Sequence, residues 1–237
     1  MLRILGALVI FACASACNLQ ADAELGVFGD SVSWGYGNLP GGWVRRIEDR
    51  SGYKITNLAV PGERADGAPG RIGPALRSAP GMDTLLLLHG GNDWVKAFRG
   101  SQCNQTCDPA DVDNKYQAIQ HYLEEIAGTA HDRGVRVVFL TYWPSSPGAC
   151  KRYTPAIFEN YMRHRLRTNA AIKAAAAVYG DAVVDSGDMT EIGETADFFD
   201  CLHPSAQGYD KIATRIMQGV AAWRPRERTT GDIFKVK

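Results

Sequence analysis

Two pairs of residues, far apart in the chain, have the types and spacing for nucleophilic chemistry. Asp30 and Ser31 stand side by side in "VFGDSVSWGYG" (27–37), at the end of an apolar run, and Asp200 and His203 close the stretch "DCLH" much later. A serine hydroxyl is a poor nucleophile at neutral pH. It needs a base to take its proton, a third group to orient that base, and donors for the oxyanion that follows attack. Ser31 would attack, His203 would take the proton, and Asp200 would fix the imidazole tautomer and stabilise its charged form. The backbone N–H groups of Ser31 and Gly62 and the side-chain amide of Asn92 would meet the oxyanion.

Such residues act only if the fold brings them to one place. Short apolar runs at 25–29, 54–60, 84–89, 136–143 and 181–186 read as buried parallel strands. Helix-like stretches lie between and after them, at 41–51, 63–78, 111–133, 154–179 and 204–223. The alternation predicts an α/β fold in three layers, a doubly wound sheet of about five parallel strands. Ligands of such sheets bind outside the carboxyl ends of the strands, where the strand order reverses. Each candidate falls there: Gly29-Asp30-Ser31 after the first strand, Pro61-Gly62 after the second, Gly90-Gly91-Asn92-Asp93 after the third. The loop after the fifth strand ends in Asp200-Cys201-Leu202-His203.

These four blocks, in this order and each after a predicted strand, resemble the SGNH, or GDSL-type, hydrolase family. The resemblance spans nearly the whole chain after its first residues. Val32 departs from it, standing where a Leu commonly follows the serine, and this apolar change leaves the mechanism intact. The resemblance implies a flavodoxin-like sheet and hydrolysis of acyl esters without metal or organic cofactor. It gives a reaction type and not a substrate, and short acyl esters, lipids and acetylated sugars are all expected partners. An acyltransferase handing the acyl group to a sugar or lipid hydroxyl would keep the same residues. A cell-surface binding module without turnover would not need the whole set.

Composition narrows the remaining classes. The 237 residues suit one globular domain, and 26 Lys plus Arg balance 26 Asp plus Glu, which removes any global charge attraction to nucleic acid. The glycines of "GYGNLPG" lack the spacing and the lysine of a phosphate loop. "MLRILGALVIFACASAC" has the basic start, apolar run and small residues of a secretory signal, so residues 1–23 are expected to direct export to the periplasm or the exterior. Cleavage is expected before Glu24, and the alternative is a lipoprotein site with an acylated Cys17. The domain then runs over 24–224, with 225–237 as a C-terminal extension. No later segment has the apolar length of a membrane span.

Four cysteines remain beyond the signal, and an exported chain favours disulfides. Their spacing does not match a zinc site. If the fourth and fifth strands are neighbours, Cys150 and Cys201 can pair, leaving Cys103 to meet Cys107 across a tight turn; the alternative is a pairing of Cys150 with the loop after the third strand. Aromatic residues stand just beyond the strand ends. Trp34, Trp94 and Trp143 are candidates for lining the substrate pocket, with sealing of the core as the other reading. His89 reads as a structural histidine, and His121, His131 and His164 as surface residues. The cluster Arg163, His164, Arg165 and Arg167 reads as a solvated helix face.

Overall fold

The computed structural model describes residues 24–38, 41–100 and 103–222. The expected export signal with Cys17, and the extension from residue 225, lie outside the described residues. Five strands, β1 (Glu24–Gly29), β2 (Lys54–Asn57), β3 (Met82–Leu88), β4 (Arg136–Leu140) and β5 (Ala182–Val184), form one parallel sheet in the order β2-β1-β3-β4-β5. Each lies inside or within two residues of an apolar run of the sequence. The runs are continuous because both faces of the sheet are covered: Leu85, Leu86, Leu87 and Leu88 of β3 are all fully buried. Each such side chain contributes about 1.5–3 kcal/mol of burial.

The helices are α1 (Ser31–Trp34), α2 (Gly42–Ser51), α3 (Pro69–Ser78), α4 (Gly91–Arg99), α5 (Asp113–His131), α6 (Pro155–Tyr179) and α7 (Ala206–Ala222). Helix α2 packs on α7, while α3, α5 and α6 pack side by side, which makes the three layers. This is the doubly wound α/β architecture expected from the alternation. Helix α4 was not expected. Its first residues, Gly91, Asn92 and Asp93, have loop character, and only the two following turns, with buried Trp94 and Phe98, have a helical apolar period.

Strand order places the site. The chain leaves β1 to form β2 on one side, then returns to form β3 on the other side of β1. The crevice at this reversal opens between the carboxyl ends of β1 and β3, where Ser31 and Asn92 begin α1 and α4.

The cluster expected on a solvated helix face divides. Arg163 and Arg167 are half-exposed and paired with Asp108 and Asp113. His164 and Arg165, however, are buried in α6. Polar type alone misleads here because both side chains find partners within the protein. His164 Nδ1 accepts from Tyr116 Oη while its Nε2 donates to the Cys107 carbonyl at 3.2 Å. Arg165 donates to the Tyr142 carbonyl at 2.8 Å. Burial lowers the His164 pKa, and it lowers that of Arg165 to about 10.

Candidate active site

Ser31 is the first residue of α1, directly after the turn that leaves β1. Asp30 caps this helix, its Oδ1 accepting from the Val32 N–H at 3.1 Å. Gly35 ends it with φ +97°, and a Cβ there would lie 2.3 Å from the Gly42 nitrogen. A strand, a cap and one tight turn thus hold the serine at the carboxyl end of an interior strand. As a first-turn residue, Ser31 has no helical partner for its own N–H.

The distant pair meets it there. Ser31 Oγ lies 2.9 Å from His203 Nε2. On the other side of the ring, His203 Nδ1 lies 2.9 and 3.0 Å from the two Asp200 oxygens. Asp200 Oδ1 also accepts from the backbone N–H groups of Leu202 and His203, each at 2.8 Å. Burial alone would raise the Asp200 pKa, but these bonds and the imidazole outweigh it and leave the carboxyl below its ordinary range. The tight Asp-to-His turn is local, whereas contact with Ser31 spans 172 residues.

The other two blocks close on each other. Asn92 Nδ2 donates to the Glu63 carbonyl at 2.8 Å, which uses one amide proton and leaves the second N–H. Asp93 Oδ2 accepts from the Ala65 N–H at 2.8 Å. The loop carrying Gly62 (φ +80°) is thereby tied to the start of α4. Glu63 adds a side-chain staple, with His89 Nε2 at 3.0 Å, Arg71 Nε at 2.8 Å and Arg71 Nη2 at 2.5 Å. Burial pushes the Glu63 carboxyl up, yet the hydrogen bonds from His89 and Arg71 prevail and bring its pKa to about 2. His89 is fully buried and accepts at Nδ1 from the Gly90 N–H, as a structural histidine should.

Sequence reasoning placed Tyr142 beside Trp143 among the aromatics beyond the strand ends and missed its hydrogen bonds. Its hydroxyl donates to Asp30 Oδ2 at 2.8 Å and accepts from the Gly91 N–H at 2.7 Å. Its backbone is held as well, the N–H by Asn169 Oδ1 at 2.9 Å and the carbonyl by Asn169 Nδ2 at 2.7 Å. Gly91 has to be glycine, since a Cβ would sit 2.7 Å from Asp30 Oδ2 and 2.8 Å from Tyr142 Oη. Nothing in the spacing of Asp30, Gly91 and Tyr142 announces the contact.

The chain matches the model of the GDSL-like lipase/acylhydrolase family over residues 27–211, a span that begins just before Ser31 and ends beyond His203. It belongs to that family. As a member, it is a serine hydrolase acting on ester bonds. No curated protein matches it in sequence. Among solved structures it is similar to the psychrotrophic esterase EstA from Pseudoalteromonas sp., at 18% identity and TM-score 0.62 over 85% of this chain and 98% of that one. It is also similar to Est24, a carbohydrate acetylesterase from Sinorhizobium meliloti, at 20% identity and TM-score 0.56 over 84% and 99% of the two chains. The acetylxylan esterase Axe2 from Geobacillus stearothermophilus gives 13% identity and TM-score 0.61 over 86% and 97%.

Aromatic residues of this acylhydrolase divide by depth. Trp94 and Trp143 are 1% and 4% exposed, and Trp94 packs on Tyr161 with ring centroids 4.3 Å apart. They seal the top of the core, and neither offers a face to a substrate in this arrangement. Trp34 is 38% exposed and stays available. Tyr36 packs against His203, with ring centroids 4.5 Å apart. The family member also carries both expected disulfides. Cys150–Cys201 is reached because β4 and β5 are neighbours. Cys103–Cys107 closes a turn in which Asn104 and Gln105 take positive φ, bringing the Cα atoms to 4.6 Å. No helix among the described residues is long and apolar enough to cross a membrane.

Proposed function

We propose that the protein is an exported esterase in which Ser31 is the nucleophile, His203 the general base and Asp200 the residue that orients it. The observation that carries this reading is the 2.9 Å approach of Ser31 Oγ to His203 Nε2, with Asp200 engaging the opposite ring nitrogen. In the first step Ser31 Oγ bonds to the ester carbonyl carbon as its proton passes to Nε2. The carbonyl oxygen becomes an oxyanion, which the N–H groups of Ser31 and Gly62 and the second amide proton of Asn92 would receive. His203 then gives its proton to the departing alcohol. Water, deprotonated by the same imidazole, resolves the acyl-enzyme and restores Ser31.

Export is supported by the signal-like first residues and by two disulfides, which persist in oxidising compartments. The substrate is a short acyl ester, a lipid ester or an acetylated sugar. The names of two fold neighbours make acetylated carbohydrates the first to try. A serine-directed phosphonate should label Ser31 stoichiometrically, and Ser31→Ala and His203→Ala should each remove most turnover on a panel of aryl esters and acetylated sugars. Labelling at another residue, or none in folded protein, would refute the assignment.

A further inference from the structure

A cleft of about 500 Å³ opens against the acid-base end of the triad, with His203 and Asp200 in its wall. Three cationic residues, Arg99, Lys151 and Arg152, line the same space. Among the described residues, none of the three is in an ion pair. Most other described cations do have carboxylate partners, so a group of three without one beside a catalytic histidine is unlike the rest of this surface. Among the described residues, Asp200 is the one acid in the cleft wall, and it is already paired with His203.

Position along α4 gives the cleft a direction. Asn92, Val95 and Arg99 stand at i, i+3 and i+7, one face of the helix, so the residue proposed to meet the oxyanion and the first cation share a stripe about 10 Å long. Val95 lines the cleft between them. Arg99 does not swing freely: its Nη2 and Nε lie 2.9 and 3.3 Å from the Tyr153 hydroxyl, whose ring is also in the wall. The remaining two cations lie in the turn after Cys150, which the disulfide ties to Cys201. Cations from two separate segments are thus fastened around one space next to the reacting bond.

From this placement we propose that the cleft binds an anionic group carried by the ester substrate, so that the enzyme selects acidic esters over neutral ones. The proposal rests on the esterase reading above and adds the charge of the substrate to it. Low-dielectric walls from the buried Tyr161 and Phe198 would focus the field of the three cations on the bound anion. A carboxylate on the acyl side and one on the alcohol side share this chemistry, and two probe pairs distinguish them. The acyl pair is the 4-nitrophenyl monoester of adipic acid and its methyl-capped diester. The alcohol pair is 4-acetoxybenzoate and its methyl ester.

For the wild-type protein, kcat/KM for the anionic member of one pair should exceed that for the neutral member by about 10-fold at low ionic strength. The preference should shrink severalfold in about 0.5 M salt. Arg99→Gln, and the double variant Lys151→Gln with Arg152→Gln, should each move the anionic-to-neutral ratio towards that of a neutral cleft while leaving turnover of the neutral ester unchanged. Comparing ratios between variants cancels the different leaving groups within the alcohol pair. Ratios identical in wild type and both variants, for both pairs, would overturn the proposal. Calorimetry with the Ser31→Ala protein, which needs no turnover, separates the two readings. Tighter binding of the anionic probe that Arg99→Gln abolishes supports the cleft even if the hydrolytic assignment fails, and equal binding of charged and neutral probes refutes it even if that assignment holds.

Discussion

Tyr142 Oη lies 2.8 Å from Asp30 Oδ2 and 2.7 Å from the Gly91 nitrogen, so one phenol joins the cap of the serine's helix to the start of the helix bearing Asn92. Burial pushes the Asp30 carboxyl above its ordinary range, against the lowering effect of His89 and of the Tyr142 hydroxyl. Burial also raises the Tyr142 pKa, so the phenol stays protonated and can keep donating.

Tyr142→Phe should therefore leave the buried Asp30 Oδ2 without its donor and the buried Gly91 N–H without an acceptor, while Asp30 Oδ1 keeps the Val32 N–H. The expected loss is about 1–3 kcal/mol of stability, measured by urea unfolding. Because the bond aligns the two blocks and does not touch substrate, kcat should fall more than KM rises. A variant as active and as stable as the wild type would show that the two blocks are aligned by packing alone.

Acid stability should depend on Glu63. Its pKa is lowered in the folded protein, from 4.5 to about 2, so its stabilisation is present above the unfolded value and is lost as pH falls towards 2. The shift corresponds to at most about 3 kcal/mol. Glu63→Gln should be less stable than the wild type near neutrality, and its stability should decline less between pH 4.5 and 2. Parallel denaturant titrations at several pH values measure this, and equal slopes would show that Glu63 is not part of the acid response.

Asn92→Ala should reduce kcat by about 10²- to 10³-fold with little change in KM, the usual cost of one oxyanion donor. The Glu63 carbonyl fixes the amide plane at 2.8 Å, so the remaining N–H has a set direction. Steady-state kinetics on an aryl ester decides it. A change confined to KM would make Asn92 a substrate-binding residue.

Reduction of Cys150–Cys201 should lower activity before it unfolds the domain, because Cys201 lies between Asp200 and His203. Two hydroxyls would still hold the Cys201 carbonyl, Ser145 Oγ at 2.7 Å and Tyr161 Oη at 3.3 Å. Closing a loop of this length contributes about 4 kcal/mol on the chain-entropy model, so Tm should fall as well. Activity and circular dichroism followed together through thiol treatment test the order of events. Full activity after verified reduction would leave the disulfide with a stability role alone.

Local pattern and tertiary contact contributed different parts of this protein. The five strands could be read from the chain because a parallel sheet covered on both faces demands continuous apolar runs such as "TLLLLH". Four chemical blocks could be read because each follows such a run, and the Asp200 to His203 turn is short enough to be local. Cys150 with Cys201 followed from one assumption about strand neighbours. The contacts of Tyr142 could not be read, since Asp30, Gly91 and Tyr142 meet only when three separate strands lie side by side. Trp94 and Trp143 offered aromatic surface in the sequence, but their depth depended on how α4 and α6 settled over the strand ends. His164 and Arg165 have polar side chains, which by composition belong in water. They are buried because the Tyr116 hydroxyl and the carbonyls of Cys107 and Tyr142 replace water's hydrogen bonds. Residue type and periodicity state what each side chain can do with water and with its chain neighbours. Which distant partner replaces that water is decided only when the helices pack.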